Sequence, residues 1–139
     1  MPMLNVLIAA PAAPDLSRRV ASTLSDLTAR LLGKDPAVTA IAISYIAAEN
    51  WFTGGAALSD QRKAAYWLDI KITEATNTKA EMADYIAAVH GTMAEILGAV
   101  HEESYVLVHP VPASAYGYGG LTQEYRFIAG KSAQAQRAA

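Results

Sequence analysis

The alternation of apolar and polar positions divides the chain into two similar halves. Residues 3–9 form a short apolar run rich in Val, Leu and Ile, which is typical of a buried strand. Apolar residues then recur every three or four positions, which indicates an amphipathic helix ending at Gly33. The apolar stripe of that helix is Leu16, Val20, Leu24, Leu27 and Leu31. Residues 39–47 alternate again and predict a second strand.

The same order of elements returns in the second half. The pattern predicts a strand over 65–72, a helix behind the capping-box sequence 78–81, and a last strand over 104–111. Gly33 and Gly98 end the two helices and lie 65 positions apart. We therefore divide a single domain into a first β-α-β unit (2–48), a connector (49–64), a second β-α-β unit (65–128) and a polar tail (129–139) that we expect to be frayed.

Two β-α-β units predict an α+β fold with one four-stranded mixed sheet and both helices on one face, because each helix supplies the crossover that a parallel strand pair needs. The pattern is equally compatible with a ferredoxin-like β-α-β-β-α-β domain. In the arrangement with both helices on one face, the opposite face of the sheet stays uncovered. Its residues are too apolar for comfortable exposure, so we expect oligomerisation to cover it.

Composition excludes several classes of protein. No apolar run among the 139 residues approaches the roughly 20 that a membrane-spanning helix needs, and the N-terminus lacks the pattern of a secretory signal. The net charge of −2 argues against nucleic acid as a partner, and the absence of Cys excludes disulfides and thiolate metal sites. His90, His101 and His109 lack zinc-ligand spacing. We expect a cytoplasmic protein without metal, cofactor or membrane partner.

Three short motifs carry a resemblance to a known family. The chain opens Met1-Pro2 directly before a buried strand, and Gly33-Lys34-Asp35-Pro36 precedes the second strand. The last strand carries a Tyr and is followed by the sequence Ala-Tyr-Gly-Tyr-Gly-Gly over 115–120. Together these resemble the tautomerase superfamily, of the 4-oxalocrotonate tautomerase and macrophage migration inhibitory factor type, over residues 2 to 128. The longer members fuse two β-α-β units and assemble as homotrimers.

The resemblance implies that Pro2 is a catalytic base once Met1 has been removed. An α-amino group titrates near pH 7.7–8.0, and burial in an apolar pocket disfavours its charged form. A neutral secondary amine is therefore available to take a proton from the carbon next to a carbonyl. The alternative is that Pro2 only begins a strand, as Pro often does.

Two lysines are candidates to bind substrate oxygen. Lys34 matches the family's Gly-Lys motif, although a solvated Lys near a helix C-terminus is also favoured by the macrodipole. Lys71 lies within a predicted strand, where it binds a substrate carboxylate or forms an ion pair with Asp69 or Glu74. The Arg pair of the family's dehalogenating and decarboxylating branches is absent from residues 73–77. This absence favours simple proton transfer.

The remaining candidates are aromatic or polar residues around the expected pocket. By resemblance, Tyr105 reaches a neighbouring subunit's site and Tyr118 lies at the pocket wall. The family's Asn two positions after that Tyr is Leu107 here, so polar substrate contacts must differ. Asn50 and Trp51 lie on a predicted loop, where they line the pocket or contact a trimer partner. Arg19 and Arg126 remain possible carboxylate partners that sequence alone does not place.

The resemblance thus predicts a cofactor-independent isomerase that moves a proton between the keto and enol forms of a 2-keto acid. Pro2 is the base, Lys34 or Lys71 binds oxygen, and Tyr105 and Tyr118 shape the pocket of a homotrimer. The alternative is a non-enzymatic trimer, or a ferredoxin-like protein that binds a small ligand.

Overall fold

The computed structural model describes residues 1–138 and contains two β-α-β units, each followed by a short hairpin and a helix. The first half comprises β1 (Met3–Ala9), α1 (Pro14–Leu32), β2 (Ala40–Ile46), β3 (Phe52–Thr53), β4 (Ala56–Ala57) and α2 (Leu58–Gln61). The second half comprises β5 (Ala65–Thr73), α3 (Lys79–Leu97), β6 (Tyr105–Val111), β7 (Gly117–Tyr118), β8 (Leu121–Thr122) and α4 (Gln123–Ala138).

The four long strands form one mixed sheet in the order β2-β1-β5-β6. The two strands of each unit are parallel neighbours, and β1 pairs antiparallel with β5 in the centre. This confirms the predicted four-stranded sheet. The ferredoxin-like alternative is wrong, because that topology splits each β-α-β unit with an intervening strand, whereas here the paired strands are adjacent.

Side-chain alternation directs one face of the sheet toward α1 and α3. The shared hydrophobic core holds alternate residues of β1 and β5 together with one stripe from each helix. Its largest fully buried members include Leu4, Ile8, Leu24, Tyr66, Leu68, Tyr85 and Met93. Both long helices therefore lie on one face, as predicted.

The intervening residues of the strands lie on the opposite face, which we call the open face. Tyr105 and Leu107 of β6 are 52% and 43% exposed there. The first unit contributes small residues to it, Ala40, Ala42 and Ser44, all exposed. This distribution matches the apolar, uncovered face that the strand alternation predicts.

Local sequence explains where the long helices begin and end. Gly33 follows α1 with φ of 68°, a left-handed conformation that glycine adopts at little cost. Thr78 Oγ1 accepts a hydrogen bond from Glu81 N at 3.1 Å, and Thr78 N donates to Glu81 Oε1 at 2.8 Å. The predicted capping box at the start of α3 is therefore present.

The prediction of a frayed tail is wrong for residues 129–138, which form the second half of α4. Ala, Gln, Lys and Arg dominate this segment, and all favour helix. Thr122 Oγ1 accepts a hydrogen bond from Tyr125 N at 3.0 Å and so caps the first turn. The last position of the predicted tail, 139, lies outside the described residues. No helix within residues 1–138 is long and apolar enough to cross a membrane.

Candidate active site

Pro2 is buried at the start of β1, one of the two central strands of the sheet. Its carbonyl oxygen accepts a hydrogen bond from Ala40 N at 3.2 Å, which continues the β1–β2 pairing by one residue. Pro is tolerated at this place because the first residue of a strand need not donate to the ladder. The sheet itself therefore fixes the position of Pro2.

A cavity of about 490 Å³, which we call the proline cavity, opens beside Pro2. Its walls come from the chain start, from the segment 37–40 before β2, and from the region around the β7–β8 hairpin. The residues contributed by that last region are Tyr116, Gly117, Tyr118 and Gln123. The structure thus brings the predicted Tyr118 to the same cavity as Pro2. It adds Tyr116 and Gln123, which sequence reasoning did not identify.

A second cavity of about 530 Å³, the α4 cavity, shares Met1 and Gln123 with the proline cavity. Thr73 and Thr76 line one side of it, and α4 contributes Glu124, Arg126 and Phe127 to the other. The two cavities therefore adjoin at the residues they share.

Lys34 lies directly after the left-handed Gly33 that ends α1. Its Nζ donates a hydrogen bond to Thr76 Oγ1 at 2.8 Å, and Thr76 lines the α4 cavity. Burial lowers the pKa of Lys34, and nearby Glu81 partly opposes that shift. Lys34 is therefore a partly desolvated cation at the edge of the α4 cavity.

The amino terminus, carried here by Met1, lies close enough to Lys34 for the two charges to interact. Burial lowers the pKa of this amine from its ordinary value of 8.0. The Lys34 charge lowers that pKa further, and Asp35 opposes the shift. An amine at this end of β1 is thus held toward its neutral, proton-accepting form.

Arg126 of α4 packs against the β7–β8 hairpin. Its guanidinium carbon lies 3.9 Å from the centre of the Tyr118 ring, and its Nη2 donates to the Tyr118 carbonyl oxygen at 3.0 Å. Gln123 N donates to the Tyr116 carbonyl oxygen at 2.8 Å. These contacts tie the start of α4 to the hairpin that lines the proline cavity. A prediction, from sequence, of a helix beginning at residue 123 would have pointed to the side chains of Gln123 and Arg126.

The structure places Lys71 on the open face, in an ion pair with Asp69. The main chain of Lys71 lies nearer the site, because its carbonyl oxygen accepts a hydrogen bond from Tyr116 Oη at 3.5 Å. Neither cavity at the chain start is lined by Lys71. Its ion pair with Asp69 is one of the two alternatives stated for this residue.

Trp51 and Tyr105 come together in a third cavity of about 900 Å³, away from Pro2. Trp67 and Tyr105 have ring centres 5.7 Å apart, and Tyr105 Oη donates to Glu103 Oε2 at 2.5 Å. Trp67 pairs with Leu7, toward the far end of β1, so within one chain this cavity lies apart from the proline cavity. The exposed Asn50 lines none of the three cavities. Among residues 1–138, no cluster of three or more His, Cys, Asp or Glu side chains is placed to hold a metal ion.

No protein-family model and no curated protein matches the chain, whereas many solved structures share its fold. A fused 4-OT described as a symmetric trimer is similar with a TM-score of 0.76 and 21% identity, over 88% of this chain and 96% of that chain. Pt0534 inactivated by 2-oxo-3-pentynoate is similar with a TM-score of 0.78 and 15% identity, over 89% and 98%. A macrophage migration inhibitory factor homologue from Prochlorococcus marinus has a TM-score of 0.70 and 21% identity, over 86% and 97%.

These likenesses identify the fold as that of the tautomerase superfamily. The arrangement is that of the fused type, with two β-α-β units in one chain. The resemblance stated from the three sequence motifs is confirmed at the level of the fold.

Proposed function

We propose that the chain is a cofactor-independent tautomerase, an isomerase that interconverts the keto and enol forms of a 2-keto acid with Pro2 as its general base. The observation that carries the proposal is the burial of Pro2 beside a cavity, at the end of the chain where burial and Lys34 lower the pKa of the amino terminus. A base is most effective when its pKa lies near the working pH.

The reaction requires that hydrolysis of the Met1–Pro2 peptide bond first release Met1 and leave a secondary amine on Pro2. In the keto-to-enol direction, the neutral amine takes a proton from the carbon next to the carbonyl and then passes it to the resulting enolate oxygen, which restores the neutral amine. In the reverse direction, the neutral amine takes the proton of the enol hydroxyl and then delivers it to carbon. The proton changes place with no net oxidation, so no cofactor is needed.

Lys34 is the proposed partner for the developing charge on oxygen. Its ammonium group is partly desolvated, which strengthens its interaction with an enolate. Tyr118, supported by the Arg126 guanidinium, forms a wall of the cavity. Lys71, Asn50 and Trp51 stay candidates for substrate contacts in the assembled protein.

We further propose that the protein is a homotrimer in which Tyr105 of one subunit faces the proline cavity of the next. The apolar open face and the exposure of Tyr105 on edge strand β6 support this assembly. A fused 4-OT with the same fold is described as a trimer. Tyr105 and Pro2, which lie apart in one chain, would then share a site.

The test is the variant Pro2→Ala, assayed with phenylenolpyruvate. We expect kcat/KM to fall by about 100-fold or more, the usual contribution of a general base. Pro11→Ala is the matched control, because Pro11 is exposed after β1 and should leave activity unchanged. Intact-mass measurement of the active protein should show that Met1 is absent.

Undiminished activity in Pro2→Ala, or an active protein that retains Met1, would overturn the role of Pro2. A trimer without measurable tautomerase activity would favour the alternative of a non-enzymatic protein, in which Pro2 only continues the β1–β2 pairing.

A further inference from the structure

Within residues 1–138, two buried donors at the start of α4 have no hydrogen-bond partner. Gln123 is 8% exposed, and its Nε2 has no hydrogen-bond partner within the described residues. Arg126 Nε is likewise buried and unpartnered in that part of the chain. Buried donors without acceptors cost free energy, so each such group calls for an explanation such as a missing ligand.

Met1 lies where the proline cavity and the α4 cavity adjoin. It lines both the proline cavity and the α4 cavity, as Gln123 does. Loss of this residue would join the two cavities into one, with the amine of Pro2 at the junction. Arg126 and Thr76, which accepts a hydrogen bond from Lys34, would then border the same space.

We propose that Gln123 and Arg126 form a carboxylate subsite that opens when Met1 leaves. The inference rests on the proposed function, and it assigns the substrate as a 2-keto acid with an apolar side group. Its carboxylate would accept hydrogen bonds from the two α4 side chains. Its apolar group would lie against Val38, Tyr116 and Tyr118 in the proline cavity.

The guanidinium of Arg126 is held in place before any ligand arrives. It stacks on Tyr118 and donates to the Tyr118 carbonyl. A Cβ added to Gly119 would lie 2.8 Å from Arg126 Nη2, so a larger residue there would displace the guanidinium from this position. An oriented guanidinium binds carboxylate better than a freely rotating one, because less side-chain entropy is lost. The exposed Glu124 also lines the α4 cavity, but forms no ion pair with Arg126 among residues 1–138.

The experiment compares Arg126→Met with Arg137→Met, a control on the exposed part of the same helix. The substrates are phenylenolpyruvate and its methyl ester, which lacks the negative charge. For the acid we expect Arg126→Met to lower kcat/KM by about 10- to 100-fold, the value of a charged hydrogen bond. The ester should change less than about threefold, since it has no carboxylate to lose a partner. An equal loss on both substrates would overturn the subsite.

Binding of 3-phenylpropionate, a non-reacting carboxylate, separates this inference from the proposed function. Pro2→Ala should bind it as the wild type does, while Arg126→Met and a second variant, Gln123→Leu, should bind it at least about tenfold more weakly. Protein made with methionine aminopeptidase inhibited, and therefore retaining Met1, should also bind it weakly. Wild-type affinity in Arg126→Met and Gln123→Leu would overturn the subsite whatever Pro2→Ala shows. Wild-type affinity in the Met1-retaining protein would overturn the role of Met1.

Discussion

At the residue scale, the candidate chemistry depends on two partly buried nitrogen groups, the amino terminus and Lys34, of which the second lowers the pKa of the first. Burial and the Lys34 charge lower the pKa of the amino terminus from 8.0, and burial lowers the pKa of Lys34 from 10.5. After removal of Met1, the free amine would be that of Pro2, which is one residue further along the chain and is buried. The same two causes would therefore act on it.

The pH profile tests this pairing. The acid limb of kcat/KM should follow the amine, which is active only when neutral, and the basic limb should follow Lys34, which binds oxygen only when charged. In Lys34→Met the amine loses a neighbouring cation, so its pKa rises and the acid limb moves to higher pH. In Lys34→Arg the acid limb should stay and the basic limb should move to higher pH, because Arg does not lose its proton.

The matched control is Lys79→Met, since Lys79 is exposed at the start of α3. Its profile should equal that of the wild type. An unchanged acid limb in Lys34→Met would show that Lys34 does not act on the amine.

At the residue scale, short motifs pointed to some of the candidates, whereas the position of others follows only from the fold. Pro2 and Tyr118 were identified from local sequence and lie at one cavity, and Lys34 lies close to the amino terminus. Gln123 was not identified, and Arg126 was named as a carboxylate partner without a position, because no sequence pattern says that a helix starting at residue 123 returns to the start of the chain. Their contribution depends on contacts across more than 100 positions.

At the element scale, the two halves share more than their long elements. Gly54-Gly55 and Gly119-Gly120 are 65 positions apart, and all four glycines have positive φ. Each pair forms the two-residue turn of a hairpin, the geometry in which both central residues need φ above zero. The halves diverge after these hairpins, since α2 has 4 residues and α4 has 16. The longer helix is the one beside Pro2.

The capping box of α3 gives an element-scale prediction. Thr78→Ala removes the acceptor for Glu81 N and should lower the free energy of unfolding by about 1 kcal/mol. Thr78→Ser keeps a hydroxyl and should restore most of that loss. Urea denaturation followed by circular dichroism measures both. Equal stability of the Ala and Ser variants would show that the cap contributes nothing.

The same box predicts a pH dependence. Hydrogen bonds from Thr78, the backbone bond first, lower the pKa of Glu81 below 4.5. A lowered carboxyl pKa means that the stabilisation is present above pH 4.5 and is lost as the pH falls through the folded-state pKa. The difference between wild type and a Glu81→Gln variant should therefore shrink in acid.

At the scale of the whole molecule, the open face of the sheet determines what assembly is possible. One face is covered by α1 and α3, while the other presents apolar side chains beside the Lys71–Asp69 ion pair. The Lys71 side chain of that ion pair is 35% exposed in the single chain. An assembly that covers this face would bury the pair further, and the two charges would then have to stay paired, because a buried charge without its partner is costly.

The variant Leu107→Asp tests the assembly. It places a charge on the open face, where covering by another subunit would leave it buried and unpaired. We expect the proposed trimer to dissociate into folded single chains, as measured by light scattering. Ile86→Asp is the control, because Ile86 on α3 is exposed to a similar extent, 40% against 43% for Leu107. Trimers that persist in Leu107→Asp, or that Ile86→Asp also dissociates, would place the subunit contacts elsewhere.

The sequence by itself determined the four long strands and the helices α1 and α3, their repeat at 65 positions, the caps at Gly33 and Thr78, and the candidacy of Pro2. These features depend on periodicity, on backbone preferences and on residues that are neighbours in the chain. Only the tertiary structure decided between the two topologies, brought the hairpin and α4 around Pro2, and separated Tyr105 from it within one chain. Those outcomes depend on strand order and on packing between distant segments, which local patterns do not encode.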